Sequence, residues 1–239
     1  MKRLLSIALI ATTLFACSKS DSDEPSPNEC IISEISSSEP SKTTFNYNSE
    51  GKIRTASYNT EWAIYDYSVN YTANAISIIE SRDGNPSEVY NYTLVNGKIT
   101  TKNMGRFEES YAYNNDGFLT SITYNSVTKV TLSYSSGNLT QLKSSYDNQT
   151  YTVGYSSEDS RVPFSEFHFG MFKEWGPTAM FEDALLYEQG YFGNKTKNQI
   201  SSLKVGNDTE SYSFAKDSAG KILSGKSDHY NLSFKYDCK

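Results

Sequence analysis

The chain has 239 residues, a formal net charge of −6 at pH 7 and three cysteines. Nucleic acid requires a basic binding face, so this charge disfavours it as a partner. Nineteen tyrosines and twelve phenylalanines, against two tryptophans and two histidines, are typical of a β-rich exported protein.

Residues 1–16 have the layout of a secretory signal. Lys2 and Arg3 form a basic start, the stretch up to Phe15 is mostly apolar, and Ala16 precedes Cys17. Such a segment is too short to span a bilayer and is removed on export. The cysteine at the cleavage point resembles that of bacterial lipoprotein signals, which implies a lipidated Cys17 and an outer-membrane lipoprotein. An ordinary signal with a chance cysteine is the alternative.

Residues 17–29 are predicted to be the lipidated cysteine and a flexible tether. Residues 18–29 carry no large apolar side chain and contain two prolines, so they lack the means to form regular structure. Fully extended, they reach about 40 Å, which keeps the folded part close to its membrane. Asp21, Asp23 and Glu24 resemble the acidic export signal of surface lipoproteins in Bacteroidetes, which implies cell-surface exposure. A solvated acidic linker on a periplasmic protein is the alternative.

A repeat follows the tether. Tyrosine recurs every 21 residues at positions 71, 92, 113, 134 and 155, and glycine with Ile or Leu two residues later forms a second motif. The examples of that motif are Gly51-Lys-Ile53, Gly97-Lys-Ile99, Gly117-Phe-Leu119, Gly137-Asn-Leu139 and Gly220-Lys-Ile222. Alternating residues around each tyrosine predict a strand, and glycine supplies the positive φ of a tight turn. Each unit is therefore predicted to be a hairpin.

The repeat predicts one mainly β domain over residues 30–239. Successive hairpins should continue as an antiparallel meander of roughly a dozen strands, curled because sheets of this size do not stay flat. The tyrosines are expected to form aromatic ladders on one face. Serine, threonine and asparagine mark the other face as solvated.

Periodicity stops after Tyr155 and returns near Phe214. The intervening residues 163–190 are predicted to form two short helices that pack on the concave, aromatic face of the sheet. A ligand groove lined by the same aromatic residues is the alternative. The apolar positions with helical spacing are Phe164, Phe167, Met171 and Trp175 in the first helix, and Phe181, Ala184 and Leu185 in the second, which Gly190 ends.

The hairpin unit resembles the repeats of Rhs/YD-type shells. More closely, the chain resembles the Bacteroidetes lipoproteins of domain-of-unknown-function family 4595, which share the lipoprotein signal, the Tyr/Gly hairpins and a late signature. Here the signature reads Gly190-Tyr-Phe-Gly-Asn-Lys-Thr-Lys-Asn198. The resemblance implies a fold and brings no activity with it.

The two remaining cysteines lie at the ends of the predicted domain. Cys30 and Cys238 can form a disulfide in an oxidising compartment, and two separate thiols are the alternative. Neither cysteine lies at metal-ligand spacing from another cysteine or histidine, so the sequence predicts no metal and no cofactor.

Motifs for catalysis are not found. The sequence contains no GxSxG elbow, HExxH pair or phosphate-binding glycine loop. Two pairs of adjacent carboxylates, Glu108-Glu109 and Glu158-Asp159, are interpreted as solvated turn or edge charges, because neighbours in a strand point to opposite faces. Asp217-Ser218-Ala219 resembles the O-glycosylation acceptor of exported Bacteroidetes proteins, so Ser218 is a predicted modification site.

These features favour a non-enzymatic, lipid-anchored module of the cell envelope that binds a glycan or another envelope protein. Tyrosine rings and amides suit sugars, because rings stack on sugar faces and amides bond to hydroxyls. One alternative is a carrier that holds a lipid or small apolar ligand in the curled sheet. Another is a glycan hydrolase built from scattered carboxylates.

Overall fold

The computed structural model describes residues 30–38, 41–158, 181–218, 220–229 and 231–238. These residues form one sheet of seventeen strands and one helix. The strands are β1(Cys30–Ser37), β2(Lys42–Tyr47), β3(Ile53–Asn59), β4(Ile64–Tyr71), β5(Ala75–Arg82), β6(Asn85–Val95), β7(Lys98–Met104), β8(Phe107–Tyr113), β9(Leu119–Tyr124), β10(Val127–Ser135), β11(Asn138–Ser144), β12(Gln149–Tyr155), β13(Ile200–Val205), β14(Asp208–Ser211), β15(Ser213–Lys216), β16(Ile222–Lys226) and β17(Asn231–Cys238), and the helix is α1(Phe181–Glu188).

The sheet is an antiparallel meander that closes on itself. Each strand from β1 to β13 pairs with the next one in the chain. β14 pairs with β13, and β15 pairs with β16. β14 and β15 follow each other directly in the chain and are separated only by Tyr212. β17 pairs with both β16 and β1, so the last strand joins the first. The predicted curled meander is confirmed, but it has seventeen strands instead of roughly a dozen, and its curvature brings the last strand against the first.

The glycine motifs lie together at one end of the closed sheet, which we call the glycine-turn end. The turns after β2, β6, β8, β10 and β15 contain Gly51, Gly97, Gly117, Gly137 and Gly220, all with positive φ. In the two-residue turn after β6, Asn96 and Gly97 have φ values of 52° and 76°. Two consecutive positive φ values match the right-handed twist of the flanking strands, which is why asparagine and glycine occupy this turn.

The periodic tyrosines point into the closed sheet and connect neighbouring hairpins. The hydroxyl of Tyr71 donates to the Ile53 carbonyl over 2.7 Å, and that of Tyr113 donates to the Ile99 carbonyl over 2.6 Å. Each accepting isoleucine is the last residue of a Gly-Lys-Ile motif on the preceding strand. The lysine of the same motif covers the ring, with Lys52 5.5 Å from the Tyr71 centroid and Lys98 5.4 Å from that of Tyr113. Tyrosine and Gly-Lys-Ile are therefore two parts of one structural unit.

The C-terminal strand repeats this unit. The Tyr236 hydroxyl donates to the Ile222 carbonyl over 2.8 Å, and Lys221 lies 5.2 Å from the Tyr236 ring centroid. The arrangement differs from the expected stack of tyrosines. The period of 21 places tyrosines on every second strand, about 10 Å apart, which is beyond the range of ring–ring contact. Hydroxyl–carbonyl bonds of Tyr71, Tyr113 and Tyr236, and the bond of Tyr92 to Asp183, are found where an aromatic ladder was expected.

Helix α1 lies inside the closed sheet and is buried on all sides. Its residues from Phe181 to Tyr187 are buried, and Phe181 contacts the rings of Phe45, Tyr58 and Tyr67 on β2, β3 and β4. An isolated helix of eight residues is unstable in water, so packing holds it in place. The predicted second helix on the concave face is confirmed. The predicted first helix lies outside the described residues.

Candidate functional site

A charged cluster is buried where α1 meets β6, β7 and β8. Lys102 on β7 is fully buried, and its ammonium lies 2.7 Å from Asp183 Oδ2 and 3.1 Å from Glu182 Oε1 at the start of α1. Tyr92 donates a hydrogen bond of 2.9 Å to Asp183 Oδ1. Glu109, directly opposite Lys102 on β8, accepts a bond of 2.6 Å from Tyr111.

Burial controls protonation in this cluster. Desolvation raises the pKa of Glu182 to about 8 against the opposing attraction of Lys102. Its Oε2 atom has no hydrogen-bond partner among the described residues, as fits a carboxyl held in its neutral form. Burial also raises the pKa values of Tyr92 and Tyr111 well above their ordinary range, so both phenols stay neutral donors.

This cluster fixes the helix and lacks access for a substrate. Glu109 is 2% exposed, and Glu182 and Asp183 are at most 2% exposed. The sequence interpretation of Glu109 as a solvated charge is therefore wrong, because period-two alternation turns Glu108 outward and Glu109 into the interior. Glu158 is exposed and paired with Lys216, in agreement with its predicted role as an edge charge. Asp159 lies outside the described residues.

The signature of residues 190–198 follows α1 and runs across the glycine-turn end. The carbonyl of Tyr191 accepts a bond from Ile99 N–H, and Asn194 N–H donates to the carbonyl of Gly117. The side-chain carbonyl of Asn138 accepts from Asn198 N–H over 2.9 Å. The signature segment thus binds the hairpins β6–β7, β8–β9 and β10–β11 in turn. The signature segment, which we call the clasp, therefore links three successive repeat units through hydrogen bonds.

The opposite side of the signature segment lines a cleft of about 720 Å³, which we call the rim cleft. Its walls come from β1, the β2–β3 hairpin, the end of α1, the signature segment and β17. The lining includes Cys30, Tyr47, Glu50, Lys52, Glu188, Gln189, Tyr191, Lys195 and Tyr236. A volume of this size is within the range of small-molecule sites, about 300–1,000 Å³.

The rim cleft combines half-buried tyrosine rings with paired charges. Tyr191 stacks on Tyr71 with 5.9 Å between ring centroids. Lys52 lies 2.9 Å from Glu50, and the hydrogen bond between them lowers the pKa of Glu50. Lys195 lies 4.0 Å from Glu188. The cleft therefore offers ring faces and hydrogen-bonding groups with its own charges largely compensated.

A disulfide joins Cys30 and Cys238 at the edge of the rim cleft, with the two Cα atoms 4.1 Å apart. These cysteines face each other as a pair in the β1–β17 ladder, which is why the two ends of the sheet meet here. Lys221 lies 3.8 Å from Cys238 Sγ. The thiol pair proposed from the sequence is thus bonded in the structure.

The other predicted site residues are separate from the cleft. Ser218 is exposed in the turn between β15 and β16, and its glycosylation stays a prediction. Cys17, the acidic residues of the tether and the helical positions from Phe164 to Trp175 lie outside the described residues. The described ranges contain no group of three His, Cys, Asp or Glu side chains that could hold a metal ion. Among these same residues, no helix has the length and hydropathy needed to cross a bilayer.

Sequence reasoning missed both Lys102 and the rim cleft. A lysine within a strand gives no local sign of its burial, and simple alternation would place Lys102 on the face opposite to Ile99. Both side chains point inward because the β6–β7 ladder shifts register between Thr93 and Leu94. The rim cleft joins residues that are far apart in the chain, such as Tyr47, Tyr191 and Tyr236. The sequence identified only the signature segment, as a motif, and gave no indication that it lines a cleft.

Comparison with known proteins gives a family and a fold. The profile of a family described as a domain of unknown function (DUF4595) with porin-like fold matches residues 45–224. The fold is similar to the crystal structure of a porin-like protein from Bacteroides uniformis ATCC 8492, with 15% identity, a TM-score of 0.61 and coverage of 86% of this chain and 98% of that chain. A porin-like protein from Bacteroides vulgatus ATCC 8482 is similar at 9% identity, with a TM-score of 0.55 and coverage of 87% and 99%. No curated protein matches the sequence.

Proposed function

This chain belongs to the DUF4595 family, and from that premise we propose that it is a lipid-anchored, non-enzymatic module of the cell envelope that binds a glycan in its rim cleft. The observation that carries the proposal is the set of half-buried tyrosine rings, Tyr47, Tyr191 and Tyr236, around a cleft of about 720 Å³ with both apolar and polar walls. Ring faces bind the apolar faces of sugars, and the surrounding amide, ammonium and carboxylate groups bond to their hydroxyls.

The distribution of polar residues supports a binding module over a pore. Strands of outer-membrane pores turn apolar side chains toward lipid and polar ones toward the lumen. Here the interior is mainly apolar apart from the charged cluster around Lys102 and contains α1, while the outer face of β4 carries Asp66, Ser68 and Asn70. Exposed aliphatic residues such as Ile79 and Val89 interrupt this polar surface only locally. The likeness to porin-like proteins thus concerns backbone topology.

The filled interior also disfavours the carrier alternative. A carrier needs an empty apolar cavity, whereas Phe181, Leu185 and Leu186 of α1 occupy the space inside the sheet and are at most 4% exposed. The hydrolase alternative is disfavoured because the carboxylates around Lys102 are buried, and a general acid must reach its substrate. The two carboxylates that line the rim cleft, Glu50 and Glu188, are each engaged by a lysine.

Binding by the rim cleft is tested with Tyr191→Ala. We expect the variant to lose at least tenfold in affinity for the glycan that the wild type selects from an array, measured by isothermal titration calorimetry. Tyr124→Ala is a matched control, because Tyr124 stacks on Phe107 with 5.8 Å between centroids at the opposite end of the sheet. An array without hits, together with an envelope protein recovered by pull-down, would instead favour the protein-binding alternative.

Anchoring is tested with Cys17→Ser, which removes the proposed acyl acceptor. We expect the wild type to take up a palmitate analogue and to sediment with membranes, and the variant to do neither, because stable anchoring requires two acyl chains or an equivalent second signal. Equal labelling of the two forms would rule out the anchor. Protease treatment of intact cells then separates a surface location from a periplasmic one.

The tether joins the domain beside the rim cleft, which bears on how the domain would face the membrane. The tether leads into Cys30, which lines the rim cleft at the glycine-turn end. A chain anchored at Cys17 would therefore hold this end toward the membrane, and the far end, with the exposed Trp62, away from it.

A further inference from the structure

A second hollow continues the rim cleft across the β2–β3 turn. Its volume is about 590 Å³, and it shares Glu50 and Lys52 with the rim cleft. Its remaining polar walls are Asn48, Arg54, Asn70 and Thr72. Lys52 thus stands between the two spaces, and its ammonium lies over the ring of Tyr71. A ligand longer than one sugar can extend from one space into the other.

The two spaces differ in charge. In the rim cleft, Lys52 and Lys195 each have a carboxylate within ion-pair distance. In the second hollow, Arg54 is exposed on the outer face of β3, and no carboxylate of the described residues lies within ion-pair distance of its guanidinium. The charge of Lys52 is balanced by that of Glu50. The guanidinium of Arg54 therefore gives the hollow a net charge of one positive unit. The other groups there are amides and a hydroxyl, which suit a polar ligand.

We propose, on the basis of the glycan-binding function above, that the ligand is an acidic glycan chain. One sugar stacks on the tyrosine rings of the rim cleft, the chain passes Lys52, and a carboxylate- or sulfate-bearing sugar binds Arg54 in the second hollow. The guanidinium fits this role because its planar fork donates two parallel hydrogen bonds to a carboxylate.

The overall negative charge of the protein is compatible with such a ligand. The net charge of −6 repels a polyanion at long range. At physiological ionic strength the screening length is about 8 Å, so charges on the remainder of the surface contribute little within the hollow. The contact with Arg54 then determines the preference, and binding should weaken as salt is added.

The test compares four probes by calorimetry in 0.15 M salt: a uronic-acid hexasaccharide, its carboxyl-reduced neutral form, a sulfated hexasaccharide and a uronic-acid disaccharide. We expect the wild type to bind the acidic hexasaccharides at least tenfold more tightly than the neutral one, and the disaccharide more weakly because it is too short to occupy both spaces. The uronic and sulfated probes distinguish carboxylate from sulfate as the recognised group.

Variants assign the effect to Arg54. Arg54→Gln should lose at least tenfold in affinity for the acidic hexasaccharides and leave the neutral one unchanged, and Arg54→Lys should lose part of this preference. Arg82→Gln is the matched control, because Arg82 is an exposed arginine at the opposite end of the sheet. Equal binding of neutral and acidic probes, or an unchanged Arg54→Gln variant, would overturn the inference.

The outcomes separate the inference from the function on which it rests. In one outcome, Tyr191→Ala loses affinity for all hexasaccharides while Arg54→Gln keeps its affinity for each of them. This result would support glycan binding by the rim cleft and exclude recognition of an acidic group by Arg54. If Arg54→Gln abolishes binding while Tyr191→Ala has no effect, the second hollow stands and the assignment of the rim cleft is wrong. No binding of any probe at millimolar concentration would overturn the inference of an acidic ligand, whereas glycan binding by the rim cleft would be overturned only by an array without hits.

Discussion

At the scale of single residues, Lys102 holds the helix inside the sheet. Its side chain is fully buried between Glu182 and Asp183, so its removal leaves these two buried acidic side chains without their ammonium partner. We expect Lys102→Met to lower the free energy of unfolding by about 3–5 kcal/mol, as for other broken buried ion pairs. Urea denaturation measures the change, with the exposed Lys143→Met as the control. A loss equal to that of the control would mean that the cluster does not stabilise the fold.

The protonation of Glu182 makes stability depend on pH. Its pKa is raised from 4.5 to about 8, so the folded state keeps a proton that the unfolded chain releases. The stabilisation is complete below about pH 4.5 and is lost as the pH rises through 8, with a slope approaching about 1.4 kcal/mol per pH unit between these values.

Substitution of Glu182 by glutamine should remove this dependence. Glu182→Gln keeps the shape of the side chain and cannot ionise, so we expect its unfolding free energy to be flatter from pH 5 to pH 9 and to exceed that of the wild type above pH 8. Urea unfolding at pH 5, 7 and 9 measures both, with the exposed Glu61→Gln as the control. Parallel curves for wild type and variant would show that Glu182 does not titrate in this range.

At the scale of elements, the signature segment depends on two glycines with different surroundings. Gly190 and Gly193 have φ values of 81° and 83°, a region that is strained for other residues. A Cβ at Gly193 would lie 2.2 Å from the carbonyl oxygen of Gly117, whereas a Cβ at Gly190 would have no neighbour within 4 Å. Alanine at either position would therefore carry the same backbone strain, but only alanine at Gly193 would also clash with the Gly117 carbonyl.

Alanine substitutions separate these two effects. Gly190→Ala should cost about 1–2 kcal/mol through backbone strain alone. Gly193→Ala should cost clearly more, because the clasp must move away from the β8–β9 turn, and it should also disturb the rim cleft. Thermal unfolding and glycan titration measure both. Equal losses for the two variants would mean that the contact between Gly193 and Gly117 is not required.

At the scale of the whole molecule, closure of the sheet depends on a bond between its first and last strands. The disulfide spans 208 residues, and constraint of so long a loop in the unfolded chain corresponds to roughly 5 kcal/mol in the chain-entropy model. The double variant Cys30→Ser with Cys238→Ser should lose up to this amount in urea denaturation. Dithiothreitol should destabilise the wild type and leave the double variant unchanged. An equally stable double variant would show that the β1–β17 ladder is sufficient.

The repeat determined most of the fold, and the reason is local. A tyrosine on every second strand and a glycine in each turn specify hairpins from short-range steric and hydrogen-bonding preferences, so the meander, its turns and the end of α1 at Gly190 were readable from the chain. The pairing of Cys30 with Cys238 was open in the sequence and follows from closure. Alternation along β8 already placed Glu109 on the same face as Tyr111. The burial of Lys102, and the union of Tyr47, Tyr191 and Tyr236 in one cleft, were decided only by the tertiary structure. The environment of an inward side chain in a closed sheet depends on which distant segment fills the interior. Here that segment is α1, whose Glu182 contacts Lys102 from about 80 residues away in the chain.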